Sequence, residues 1–236
     1  MKFRSPFTPG NEEKRFSSGR ISILMTVTPQ LCCVECYSPL GAELRCTKCG
    51  KTYPRAQNGA PVLMTALDRA QFTVLLDREE GAQMQASYVR RRERNWIRKF
   101  FPPEPVYVNP QAPPLPVPRP GACVWLGGAG LDLPGFIDLD VAPSAGVDIV
   151  ANAARLPFEP SSCDLIACLA LLEHVTDPEK VVGEIYRVLK PGGEVQVVVP
   201  FCHPYHAYPA DYWRFSRERL QNMFTTFHRR GLGDQR

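Results

Sequence analysis

Three groups of residues have types and spacing that could do chemistry. The first is Cys33-x2-Cys36 with Cys46-x2-Cys49, two pairs separated by nine residues. Zinc takes four tetrahedral ligands, and thiolates on two tight knuckles supply them. Two such pairs in one short window favour a metal over a single redox pair or scattered core cysteines. Cys32 stands beside Cys33 and leaves the register of the first pair open. The second group is VWLGGAGLDLPGFIDLD, residues 124–140. Gly127, Gly128, Ala129 and Gly130 follow an apolar run, and a glycine loop lets backbone approach a ligand closely. Asp140 ends the next apolar run, where an acid can hold a ribose diol. The third is PFCHPYHAYPADYWRFS, residues 200–216, dense in His, Tyr, Asp and Arg. His206 and Asp211 are its candidates for a base in a group transfer that otherwise needs alignment above all. The competing expectation is that Asp211 and Arg214 simply hold each other while the aromatic residues pack. The Glu173-His174 pair reads as a structural strand-to-helix turn.

These groups need elements to position them. Runs 122–126, 135–139, 147–150, 163–169 and 194–199 each read as a strand, most of them apolar throughout, as in a parallel sheet covered on both faces. Asp177 and Pro178 predict the start of a helix whose apolar face is Val181, Val182, Ile185, Val188 and Leu189, ended by KPGG at 190–193 with Lys190 complementing its C-terminus. Ser216 predicts the cap of a last helix over 217–227. Strands alternating with helices after a glycine loop imply an α/β, Rossmann-like, mostly parallel sheet. It is contracted: only seven residues lie between Gly130 and Asp138, too few for a crossover helix. Nine extended residues reach at most about 30 Å, against about 17 Å for a five-residue strand. A bare loop therefore suffices.

The predicted organisation is a disordered tail (1–24), a cysteine module (25–67), a helical connector (68–101), a Pro-rich linker (102–120) and the α/β domain (121–236). Met25 is an alternative start. The linker holds nine of the 24 prolines. A helix over 83–101 is expected to cover a sheet face with Trp96 and Phe100. Net charge is +4, but RRRERNWIRK (90–99) alone carries +5, so the excess is local. That stretch is a possible RNA-binding surface, although a solvated helix face is the favoured expectation. No apolar run approaches the roughly 18 residues of a membrane span, and paired cysteines that stay reduced fit a cytoplasmic setting. Cys123, Cys163, Cys168 and Cys202 are expected to be small packing residues.

Two resemblances sharpen these expectations. LCCVECYSPLGAELRCTKCGKTYPRAQNGAPVLM resembles the small zinc-ribbon family named after Trm112, through the two CxxC pairs, Pro39-Leu40, Gly50, Tyr53-Pro54, Gly59 and Pro61. The resemblance implies a structural zinc on Cys33, Cys36, Cys46 and Cys49, and a possible protein partner for the ribbon. Residues 152–200, with Leu156-Pro157-Phe158, Asp164-Leu165, Leu172-Glu173-His174-Val175, Asp177-Pro178, Glu184-Ile185 and Arg187 to Gly193, resemble the class I S-adenosylmethionine-dependent methyltransferases. That resemblance implies a cofactor loop at 127–130, ribose binding by Asp140, and an adenine site at Asn152 and Ala153. Trp125, Ala129 and Asn152 depart from the family's usual residues. The 206–216 segment is similar to a branch with a His-x-x-Pro-x-Asp-Tyr-x-Arg-Phe-Thr pattern. The implied activity is methyl transfer from S-adenosylmethionine, with a small-molecule acceptor favoured. An RNA base methyltransferase and a catalytically inactive scaffold working through its ribbon are the alternatives.

Overall fold

The computed structural model describes residues 2–4, 27–76, 115–130, 133–207 and 209–229. Its strands are β1 (Lys2–Arg4), β2 (Val62–Leu63), β3 (Cys123–Leu126), β4 (Ile137–Asp140), β5 (Ile149–Ala151), β6 (Cys163–Leu169), β7 (Leu189–Val198) and β8 (His228–Arg229). The helices are α1 (Ala66–Gln71), α2 (Thr73–Leu76), α3 (Pro178–Val188) and α4 (Arg217–Met223). All eight strands join one sheet in the order β2-β5-β4-β3-β6-β7-β1-β8. The six strands from β2 to β7 pair in parallel. From the central β3 the chain adds β4 and β5 on one side, then crosses to add β6 and β7 on the other. A crevice therefore opens at the carboxyl end of β3, where open α/β sheets bind ligands. The expected Rossmann-like class is what forms.

The two helix-free crossovers are locked by backbone contact. Gly130 lies at φ +79° and Gly146 at φ +89°. A Cβ on Gly130 would fall 2.0 Å from the Ala145 carbonyl oxygen, and one on Gly146 would fall 2.6 Å from the Gly130 oxygen. Only glycine at both positions lets these loops lie on each other.

The helix α3 starts as expected, with the Lys180 N–H donating to Asp177 (3.0 Å) and Pro178 in its first turn. Val181, Val182, Ile185 and Val188 are buried. KPGG differs from expectation. Strand β7 already begins at Leu189 opposite Cys163, and Glu194 is the next partner, opposite Leu165. Residues 190–193 loop out between them. Lys190 does not cap α3; it pairs with Asp164 at 2.6 Å. The same carboxylate accepts the Ala122 N–H (2.8 Å) and fixes the start of β3.

Three further differences concern the termini and the cysteine module. Residues 2–4, inside the predicted tail, form β1 antiparallel to β7 and β8. A three-residue strand has no readable periodicity; pairing with the exposed edge of β7 creates it. The helix α4 keeps its Ser216 cap (3.1 Å to the Arg219 N–H) but stops at Met223, and Phe224 and Phe227 turn inward to the core. The cysteine module also shares the α/β core: Val34, Tyr53 and Leu63 pack in one cluster with Val124, Phe158 and Ile166, and β2 extends the sheet beside β5. The predicted helix over 83–101, the basic stretch 90–99 and most of the linker lie outside the described residues.

Candidate functional site

The four module sulfurs converge. Cys33, Cys36, Cys46 and Cys49 lie within 4.8 Å of one another, with Cys33–Cys49 at 3.7 Å and Cys36–Cys46 at 3.5 Å. A tetrahedral zinc with bonds of about 2.3 Å needs sulfurs roughly 3.8 Å apart, so the cluster can hold one with little adjustment. The Cys49 and Lys48 N–H groups both point at the Cys46 sulfur (3.4 Å each) and help lower its pKa to about 6. Cys32 is turned away toward the Gln30 carbonyl (3.9 Å). Burial raises its thiol to about 11; the sulfur that joins the cluster is that of Cys33, which resolves the register. The Tyr53 hydroxyl is 3.0 Å from the Cys33 sulfur. Sequence alone could not assign that contact.

The module docks through named bonds. The Cys32 N–H donates to the Pro157 oxygen (2.9 Å), and Arg155 donates to the Val34 oxygen (2.9 Å). Arg187 stacks over the Tyr37 ring at 4.5 Å while donating to Glu184, Phe158 and Leu156. Past the module, Thr65 and Asp68 form a reciprocal cap at the start of α1. The other Asp68 oxygen accepts from the Asn152 side-chain amide at 2.7 Å. Residue 152 is thereby fixed from the module side, a link across 84 positions that spacing gives no sign of.

A cavity of about 700 Å³ occupies the crevice. From the β3–β4–β5 half it is lined by Gly127, Ala129, Asp140, Asn152 and Ala153; from the β6–β7 half by Leu171, His174, His206 and Tyr212; Phe72 and Leu75 add an apolar wall. Five of the seven predicted cofactor residues thus share one cavity. Gly128 and Gly130 do not line it and pack against Asp138 instead. A Cβ on Gly128 would fall 2.6 Å from the Asp138 carboxylate, and the Gly130 N–H donates to that carboxylate (2.9 Å). Asp138, which sequence reasoning passed over, is therefore the anchor of the loop. It is 5% exposed, and burial pushes its pKa up to about 7 against the opposing Gly130 bond. Ala129 adopts φ +54°, the left-handed region where a glycine would be unstrained. Asp140 accepts from the N–H groups of Ala129 (3.1 Å) and Ala142 (2.9 Å), and burial raises its pKa. The Asn152 amide oxygen already accepts the Ala154 N–H (2.9 Å), leaving it one free lone pair.

At the other side, His206 faces the cavity and Asp211 does not. Asp211 is clamped by Arg214 through both oxygens (2.5 and 2.7 Å) and accepts the His206 N–H (2.9 Å). The Arg214 hydrogen bond holds its carboxyl well below the usual range. Such a group is a poor base, so the expectation of Asp211 as catalytic base is corrected: it positions His206. Glu173 is fully buried. Its backbone oxygen accepts the Tyr212 N–H (2.8 Å), which ties the two loops together, and neither side-chain oxygen has a hydrogen-bond partner among the described residues. Cys163 and Cys168 are buried, and burial raises both thiols. Cys202 is exposed rather than packed, because its loop leaves the sheet.

The sheet order and crevice define a Rossmann-like domain. Residues 135–197 match the family model described as a methyltransferase domain. Among curated proteins, the chain is similar to the mitochondrial 2-methoxy-6-polyprenyl-1,4-benzoquinol methylase of Caenorhabditis elegans, 42% identical over 59 residues, 25% of this chain and 21% of that protein. It is also similar to the ubiquinone/menaquinone biosynthesis C-methyltransferase UbiE of Pseudoalteromonas translucida, 46% identical over 55 residues, 23% of this chain and 22% of that protein. The chain thus spans about a fifth of the length of these relatives. Among solved structures, the complex of the Haloferax volcanii Trm112 methyltransferase activator with a putative methyltransferase matches at 22% identity and a TM-score of 0.39, covering 47% of this chain and 62% of that one. No described helix is long and apolar enough to cross a membrane.

Proposed function

We propose that the chain binds S-adenosylmethionine in the crevice and transfers its methyl group to a small-molecule acceptor. The observation that carries this is the single cavity joining Gly127, Ala129, Asp140, Asn152 and Ala153 to the loops after β6 and β7. At about 700 Å³ it is within the size range of small-molecule sites. Asp140 would take the ribose hydroxyls at the end of β4. Asn152 and Ala153 would meet the adenine, with Asn152 held in place by Asp68. The methyl would then face the β6–β7 half, where His206, His174 and Tyr212 meet the acceptor. Methyl transfer to oxygen or nitrogen is chiefly a matter of alignment, and His206, backed by Asp211, is placed to orient the acceptor. The quinol and quinone substrates of the named relatives suggest a ring-bearing acceptor, which suits the wall of Phe72, Leu75, Leu171 and Tyr212. The 200–216 loop lies beyond the residues matched by the family model.

We further assign a structural zinc to Cys33, Cys36, Cys46 and Cys49. Four thiolates leave no open position; the ion would fix the module, hence β2 and Asp68, hence Asn152. The test is transfer of label from methyl-labelled S-adenosylmethionine into small-molecule extracts. Label in that fraction, lost with Asp140→Ala, supports the reading; label only in RNA or protein fractions would overturn it.

A further inference from the structure

The 3-10 turn Leu172–His174 buries a carboxylate with no use in the account so far. Glu173 has zero exposure and no hydrogen-bond partner for either side-chain oxygen among the described residues. A buried carboxylate without a hydrogen-bond partner is destabilising. Two imidazoles face it. His174 Nε2 and His206 Nε2 each lie 3.9 Å from Glu173 Oε1. Neither nitrogen has a hydrogen bond among the described residues; the opposite ring nitrogens are the ones engaged. His174 Nδ1 is 2.5 Å from the Ala210 carbonyl oxygen, and His206 Nδ1 is 3.0 Å from the Pro204 carbonyl oxygen. A carbonyl only accepts, so Nδ1 carries a proton in both rings, and in a neutral ring the lone pair that could bind an ion would lie on Nε2. The Asp211 carboxylate, 3.3 Å from His206 Nδ1 and neutralised by Arg214, reinforces that tautomer. A histidine whose far nitrogen donates to a carbonyl or carboxylate is the usual supporting arrangement of a metal ligand.

We propose that Glu173, His174 and His206 form a second metal site, separate from the four cysteines, for one divalent transition ion. The three ligand atoms lie within 4.8 Å of one another. Metal bonds of about 2.0–2.1 Å would need the 3.9 Å separations to close by roughly half an ångström. His174 and His206 both line the cavity, so the ion's remaining positions open onto it. Two nitrogens and one oxygen suit Zn2+, Mn2+ or Fe2+ and disfavour ions that prefer thiolate. The role, which rests on the methyl-transfer reading, follows from Lewis acidity. A hydroxylated acceptor would bind through oxygen and release its proton to water. That oxygen would then take the methyl as the carbon–sulfur bond breaks and the sulfur keeps the electron pair. The acceptor class is therefore a phenol or enol.

The test uses the full chain with its cysteine site loaded with zinc. Mn2+ alone is titrated and free ion read by electron paramagnetic resonance, since a hard ion avoids the four thiolates. One saturable Mn2+ per chain is expected, with affinity weakened more than tenfold in Glu173→Gln. His206→Ala, on a partly exposed loop residue, gives the same loss should Glu173→Gln fold poorly. No saturable Mn2+ or second Zn2+, or affinity unchanged in both variants, would overturn the site. Binding of S-adenosylhomocysteine by the protein with its cysteine site zinc-loaded and no Mn2+ added is measured separately. Its failure would count against the methyl-transfer reading and leave the metal result standing.

Discussion

Replacing Asp138 by asparagine removes a titrating group from beneath the glycine loop while keeping its shape. Asp138 is 5% exposed and receives one backbone hydrogen bond, from Gly130; its other oxygen has no partner among the described residues. Burial raises its pKa to about 7 from the ordinary 3.8. Between those values the folded chain holds a proton that the unfolded chain has released. Stability from this group is thus complete below about pH 4 and is lost as pH rises through 7. The whole shift corresponds to at most about 4 kcal/mol, at about 1.36 kcal/mol per unit. From pH 6 to pH 8.5 the loss is about 1.4 kcal/mol. Asparagine does not titrate, and its amide oxygen can still accept the Gly130 N–H. The assay is urea unfolding of wild type and Asp138→Asn at both pH values, with the difference between proteins taken at each pH. The variant is expected to gain about 1.4 kcal/mol on the wild type on going to pH 8.5. A difference that does not change with pH, or that moves the other way, would refute the buried-carboxylate reasoning.

Other outcomes follow from the same contacts. Ala129→Gly relieves a left-handed φ of +54° and is expected to raise stability by about 0.5–1 kcal/mol in thermal unfolding; a loss above about 1 kcal/mol would mean the alanine methyl is packed. Cys46→Ser is expected to abolish one bound zinc by elemental mass spectrometry. It should also lower the melting temperature and weaken cofactor binding together, because β2 and Asp68 are held from the module. Asp68→Ala breaks a cap, costing about 0.5–2 kcal/mol, and frees Asn152. Its cofactor affinity should fall several-fold by calorimetry, whereas an unchanged affinity would separate the module from the site.

What the sequence made legible depended on the range of the interaction. Strands 163–169 and 194–199 and the start of α3 were readable because apolar runs and Asp177-Pro178 act locally. The short strands β1 and β2 were not, since two or three residues carry no period and exist as strands only beside their partners in the sheet. In the site, Asp140 was found because it falls at a strand end, Asn152 and Ala153 because the methyltransferase resemblance points to them, and the Asp211–Arg214 clamp was visible as a three-residue spacing. The anchoring by Asp138 was hidden because its meaning depends on Gly128 having no side chain at that place. Asp68 was hidden because its partner lies 84 positions away. Glu173 was read as part of a turn, which its backbone bond to Tyr212 supports; its partnerless carboxylate facing two imidazoles is visible only in three dimensions.

The central claim is that the contracted crevice is a cofactor site, and calorimetric titration with S-adenosylhomocysteine tests it most directly. The account predicts saturable binding at one site per chain, lost in Asp140→Ala while the variant still unfolds cooperatively. No binding to the folded, zinc-loaded protein, or binding that Asp140→Ala leaves intact, would contradict it.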